Sequence, residues 1–189
     1  MKILFISHLL PYPPRGGAFQ RTFNLIVQAS RHNQISLMAI AQRAHQNTEA
    51  KVQESVEALR RYCDSVKAFR APADSSALRW GLLLFSNLIS AEPYSVRKFY
   101  SPEMAEEIRL MMERENFDLI HIDTIDLVEY LDDSIRLPVI ANHHNIESDL
   151  LRKRAAAEKN IPAKLYLSLI HISEPTRLLS ISYAVFCLK

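Results

Sequence analysis

Residues 2–26 read KILFISHLLPYPPRGGAFQRTFNLI, and the reading of this stretch decides the fold. The apolar run from Ile3 to Ser7 has the length of a strand and stops at a polar residue, with His8 next in the chain. Pro11, Pro13 and Pro14 then forbid helix and stiffen a loop that ends in Gly16 and Gly17, two residues able to take positive φ and let a ligand approach the backbone. From about Gly17 to Arg31, Phe19, Phe23, Ile26 and Val27 recur at helical spacing and predict an amphipathic helix. The start of such a helix is a natural anion site, because its first amides lack intrahelical partners and the dipole is positive there. Strand, glycine loop and helix together read as the opening of a nucleotide-binding α/β unit.

The same alternation runs on to about residue 160. A second strand is predicted from Ile35 to Ala41, a polar helix from Thr48 through Tyr62, and a short third strand from Val66 to Phe69. The dense apolar stretch from Ala77 through Trp80 to Ile89 predicts a helix that ends before Pro93. It suits a core or interdomain position, or, with Arg79 and Trp80 at an interface, a contact with lipid or a lipid-linked acceptor. Met104, Ile108, Met111 and Met112 mark the inward face of a helix from Pro102 to Asn116. Two strands follow, Phe117 to Asp123 and Leu137 to Asn142, separated by a helix around Ile125 to Leu131. The last helix runs from Ser148 to Lys159, with Asn145 as N-cap and Glu147 complementing the dipole. Apolar strands alternating with helices predict an α/β fold, a Rossmann-like open parallel sheet with helices on both faces.

Composition narrows the class. A chain of 189 residues can form one domain with a substantial core, and 48% hydrophobic with 23% charged residues is globular. A net charge of +2 without a long basic run argues against a nucleic-acid partner. MKILFIS resembles the start of a signal peptide, but the prolines and Arg15 interrupt it and no small-residue cleavage site follows, so the reading is a buried strand in a cytoplasmic protein. No stretch reaches the roughly 18 apolar residues that span a bilayer. Cys63 and Cys187 make neither a disulfide framework nor a metal pattern.

In an open parallel sheet, ligands sit beyond the carboxyl ends of the strands. His8, Arg15, Gly16 and Gly17 follow the first strand, His121 and Asp123 close the strand near 120, and His143, His144 and Asn145 follow the next, so these residues form the candidate cleft. The G-x-G-x-x-G fingerprint and the G-x-x-x-x-G-K-S/T loop are both missing, which argues against a dehydrogenase and a P-loop NTPase. A G-x-S-x-G nucleophile elbow is missing too. His121 and Asp123, with His143 or His144 near, raise the question of a metal, but a carboxylate beside a histidine more often sets its tautomer or charge, and no metal is assigned. Arg15 and Arg21 suit either phosphate or solvent, and Arg152, Lys153 and Arg154 read as a solvated face.

Residues 2–26, FDLIHID at 117–123 and above all PVIANHHNIESDLLRKRA at 138–155 together resemble the N-terminal domain of retaining glycosyltransferases of the GT-B fold, family GT4, over residues 1–166. The resemblance implies two Rossmann-like domains facing a cleft, the N-terminal one binding mainly acceptor and a C-terminal one, missing here, holding most of the nucleotide-sugar donor. It implies transfer of a hexose-like unit from a nucleoside diphosphate sugar to a glycan or lipid-linked acceptor, in polysaccharide or glycolipid biosynthesis. No cofactor is implied beyond the donor substrate, and the setting is cytoplasmic with peripheral contact at the inner face of the membrane. Gly16 and Gly17 are similar to the loop glycines that approach donor diphosphate and acceptor, and His144 resembles the histidine lining the reaction centre. Asp123 joins His144 as a catalytic candidate, while His8, Arg15 and Asn145 join the glycines as binding candidates. The family's donor-binding basic pair and acidic E-x7-E-type motif have no counterpart here, so the fragment alone is expected to be inactive. An epimerase of nucleotide sugars on the same fold and a non-catalytic binding module are the competing readings.

From Leu167 the character of the chain changes. LSLIHISEPTR resembles the conceptual translation of a transposase-type sequencing adapter, and ISYAVFCL that of the flow-cell primer that follows it, separated by a gap the size of a sample index. On this reading residues 167–189 carry no functional weight, Cys187 and His171 leave the inventory, and the natural gene continues beyond Tyr166. The source nucleotides test it directly, because codons at 167–177 that differ from the adapter would overturn it.

Overall fold

A computed structural model describes residues 1–71, 81, 94–131, 135–142, 153, 156–158, 160 and 186–188. Its centre is β1 (Lys2–Ser7), whose residues from Ile3 onward are all buried, as a strand covered on both faces requires. Parallel strands flank it, β2 (Gln34–Ile40) and β3 (Ser65–Phe69) on one side, β4 (Leu119–Ile122) and β5 (Val139–Ala141) on the other. The order β3-β2-β1-β4-β5 is that of an open Rossmann-like sheet, as predicted. A sixth strand, β6 (Phe186–Leu188), pairs antiparallel with β5. An edge strand offers a row of unpaired amides and carbonyls that a short extended segment can satisfy, whatever its origin.

Alternation along the strands sorts the core into two layers. Phe5, Ile35, Leu37 and Ala39 point to one face, where they meet Ile26 of α1 (Gly17–Ala29) and Val56 and Leu59 of α2 (Glu49–Leu59). Leu4, Ile6, Met38 and Ile40 point to the other and pack with Met104, Ile108 and Met111, on the helix Pro102–Arg114. Burying each such large side chain contributes about 1.5–3 kcal/mol, so the sheet is held from both sides. α1 stops at Ala29, two residues short of the predicted end, and its inward stripe includes Thr22 as well as Phe19 and Ile26. Thr48 caps α2 by accepting from the Lys51 amide at 3.3 Å, the role its position predicts.

A short helix, α3 (Tyr94–Phe99), has no counterpart in the sequence reading and leads into α4, the helix Pro102–Arg114 just described. α4 opens with Ser101 as N-cap, Pro102 in its first turn and Glu103 near the positive end of the dipole. Residues Ile125–Tyr130 form a 3₁₀ helix rather than an α-helix. Its last residue fastens the α3–α4 corner, for the Tyr130 hydroxyl donates to the Phe99 carbonyl and accepts from the Ser101 amide, both at 2.7 Å. Burial pushes this phenol above its usual range, so it stays a neutral donor. Tyr130→Phe leaves the buried Ser101 amide without its partner and should cost about 1–3 kcal/mol in denaturant melts, whereas an unchanged midpoint would refute the clamp. The predicted helices over 77–89 and 148–159 lie, apart from residues 81, 153 and 156–158, outside the described residues. Among the described residues no helix is long and apolar enough to cross a membrane.

Candidate functional site

The strand order changes direction between β1 and β4, since β2 and β3 extend the sheet one way and β4 and β5 the other. Loops leaving neighbouring strands on either side of such a point diverge and open a crevice beyond the strands' carboxyl ends. β1 delivers Ser7 and His8 to this place, and β4 delivers Asp123.

Asp123 is wholly buried, 0% exposed. Its Oδ2 accepts from the Thr22 hydroxyl at 2.8 Å and the Ser7 hydroxyl at 3.1 Å, and its backbone amide donates to the Ile6 carbonyl at 2.9 Å. His8 Nδ1 lies 3.6 Å from the same Oδ2, within ion-pair range though longer than a hydrogen bond. The carboxylate is thus sunk beneath the histidine, whose side chain keeps 16% of its surface exposed. Such an arrangement sets the imidazole directly over a carboxylate. The Phe99 ring meets the imidazole edge-on at 5.3 Å, and Gln42 donates to the His8 carbonyl at 2.8 Å, so the ring and its backbone are both braced. Asp123 lies beneath His8 and is itself sealed from solvent, so the side chain it can place at the crevice is that of His8.

The glycine loop divides its work between two residues. Gly16 has φ 95° and ψ 159°, a region essentially closed to residues with a Cβ. Gly17 is the first residue of α1, and of the two glycines able to take positive φ only Gly16 does so. Gly16 is the N-cap of α1, contributes no capping side chain, and no acidic residue lies in the first turn. The leading amides therefore retain their capacity for an anion. Two substitutions separate conformation from space, because an added Cβ meets nothing within 4 Å at either glycine. Gly16→Ala should destabilise by about 1–3 kcal/mol through backbone strain. Gly17→Ala should be neutral or stabilise by up to about 1 kcal/mol. Equal thermal melts for the two variants would contradict this division.

The other predicted site residues fall in three places. Arg15 is exposed at the loop's far side, over a hollow between the β1 and β2 loops. Arg21, left open between phosphate and solvent, donates from Nη2 to Asn142 Oδ1 at 2.8 Å and ties α1 to the end of β5. His121 stacks on Phe5, with centroids 4.2 Å apart, and faces an apolar cavity of about 560 Å³ shared with Leu25, Ile140, Arg21 and Asn142. His143, His144 and Asn145 lie outside the described residues. No cluster of three His, Cys, Asp or Glu side chains suited to a metal occurs among the described residues. Burial, reinforced by the nearby Asp64 charge, pushes the Cys63 thiol up to about 12, which makes it a core side chain and not a nucleophile.

Thr22 and Ser7 are the site residues that the sequence reading missed. Thr22 stands three residues after Phe19 and four before Ile26, on the inward stripe of α1, where a lone hydroxyl implies a buried acceptor. No protein-family model, no curated protein and no solved structure matches the chain.

Proposed function

We propose that the chain is the acceptor-side domain of a glycosyltransferase that moves a hexose-like unit from a nucleoside diphosphate sugar to a hydroxyl acceptor with retention of anomeric configuration. The observation that carries this reading is the meeting of His8 and buried Asp123 at the reversal of strand order, held by Thr22 of α1, a helix whose start is uncapped. The chemistry needs two things, relief of the negative charge on the departing diphosphate and control of the acceptor hydroxyl. Amides at the start of α1 supply positive potential for the first, with Gly16 and Gly17 leaving the approach open. For the second, an imidazole oriented by a carboxylate can hold a hydroxyl by hydrogen bonding and relay its proton as bond formation advances. His144, in the segment most similar to the family, would line the sugar and orient it. The opposite wall of the cleft, with most of the donor contacts, belongs on this reading to a further domain of the parent enzyme.

The test is turnover by protein expressed from the unbroken gene, with nucleoside diphosphate sugars offered singly and donor consumption followed. His144→Ala should reduce that turnover by on the order of 10²-fold or more, the scale at which a group acting on the transition state is felt. Unchanged turnover would remove His144 from the reaction centre.

A further inference from the structure

Beside the crevice, on the β2 side of the proline loop, lies a second hollow of about 340 Å³. Pro13, Arg15 and Phe19 form one side of it, and His45, Gln46, Lys51, Glu54 and Ser55 belong to the loop after β2 and the first turns of α2. Its walls are braced. Gln46 is 1% exposed, and its Nε2 donates to the carbonyls of Leu10 and Tyr12, each at 3.0 Å, tying the proline loop to the β2 loop. Ser55 Oγ donates to the same Tyr12 carbonyl at 2.9 Å, and Arg70 donates to the Gln46 carbonyl at 2.7 Å from the other side. The His45 ring stands edge-on to Phe19 at 4.6 Å and fixes the apolar floor.

Two features of this braced hollow bear on what it can hold. Among the described residues, the Arg15 and Lys51 side chains form no ion pair, although Glu54 lines the same hollow. The Gln46 Oε1, buried in the wall, has no hydrogen-bond partner, an omission that ordinarily costs a fold about 1–3 kcal/mol. Cations without carboxylate partners attract an anionic group, while Glu54 accepts hydrogen bonds from hydroxyls. The volume is that of a single sugar-sized molecule.

The geometry points to a binding site for a phosphorylated sugar, its phosphate between Arg15 and Lys51 and its hydroxyls toward Glu54. Binding there stands on the hollow itself; that the ligand is the acceptor, presented to His8 from across the loop, rests on the transfer reading. The site lies off the reversal point, so it adds to the crevice a neighbour that selects for negative charge. Glu54 disfavours a bare polyanion relative to a ligand that also brings hydroxyls, which separates this hollow from the diphosphate position at the start of α1.

Isotope-labelled protein of this sequence titrated with glucose 6-phosphate, glucose and inorganic phosphate to about 10 mM, a range that detects millimolar dissociation constants, reads the site out by amide shifts. Glucose 6-phosphate should give saturable shifts confined to residues 13–19 and 44–55, inorganic phosphate weaker ones at the same amides, and glucose none. Arg15→Ala and Lys51→Ala are surface changes that should leave the melt unaltered and weaken the sugar phosphate about tenfold each. Absence of saturable shifts, equal response to glucose, or full affinity in both variants would overturn the site. None of these results depends on donor turnover, so failure of the hollow and failure of the transfer reading are told apart.

Discussion

Asp123→Ala should lower the stability of the domain by about 2–4 kcal/mol and should do so more than any other single change at the crevice. The carboxylate is the shared acceptor for the Ser7 and Thr22 hydroxyls, which come from β1 and α1, and its backbone fastens β4 to β1. Truncation leaves both hydroxyls buried without an acceptor and opens a gap where three elements meet, and the two costs add. Asp123→Asn is the informative companion. Both hydroxyls donate to Oδ2, and an amide oxygen in that place can still accept both, so stability should fall by only about 1 kcal/mol, while the negative charge behind His8 disappears. Urea midpoints of the two variants measure the difference; equal midpoints for wild type and Asp123→Ala would mean that the hydroxyl network contributes nothing.

The second large effect is expected at His8, and in turnover rather than stability. Its ring is partly exposed and packs edge-on against Phe99, so His8→Ala should cost no more than about 1–2 kcal/mol. If His8 handles the acceptor hydroxyl as proposed, its loss should nevertheless reduce transferase turnover by on the order of 10²–10⁴-fold. Asp123→Asn should share part of that loss, with kcat falling while KM for the donor stays close to wild type, since Asp123 acts on the reaction only through the imidazole. A variant set in which His8→Ala turns over normally and Asp123→Ala merely unfolds would reduce the pair to a structural contact.

Much of the architecture was legible because the strands are buried on both faces and so appear as unbroken apolar runs. Ile3 to Ser7 and Ile35 to Ala41 could be placed nearly to the residue for that reason. The helix ends at Thr48 and Ser101 carry capping hydroxyls, which is a local signal. α3 could not be seen, because Tyr94–Phe99 is short and lacks a helical stripe, and it owes its place to the Tyr130 hydroxyl 31 residues away along the chain from Phe99. The 3₁₀ geometry of Ile125–Tyr130 was hidden likewise, since the same apolar spacing serves an α-helical turn.

The site was legible in part. Topology alone brought His8 and Asp123 to one place, since both follow strands that lie side by side. Their depth was not legible: a strand-end aspartate reads the same whether it faces a ligand or, as here, lies sealed beneath a histidine by Ser7 and Thr22. The Gly16-Gly17 pair looked equivalent in sequence and is not, because only the residue before the helix needs positive φ. The hollow under Arg15 and Lys51 combines residues 36 positions apart, and no periodicity links them.

The most direct measurement is donor turnover by wild-type and His8→Ala forms of the two-domain enzyme that the proposed reading requires, with the anomeric configuration of the product read by NMR. The account predicts donor consumption that requires a hydroxyl acceptor, product with the configuration of the donor, and a loss of on the order of 10²-fold or more in the folded variant. Equal turnover in the two proteins, or a product of inverted configuration, would contradict it.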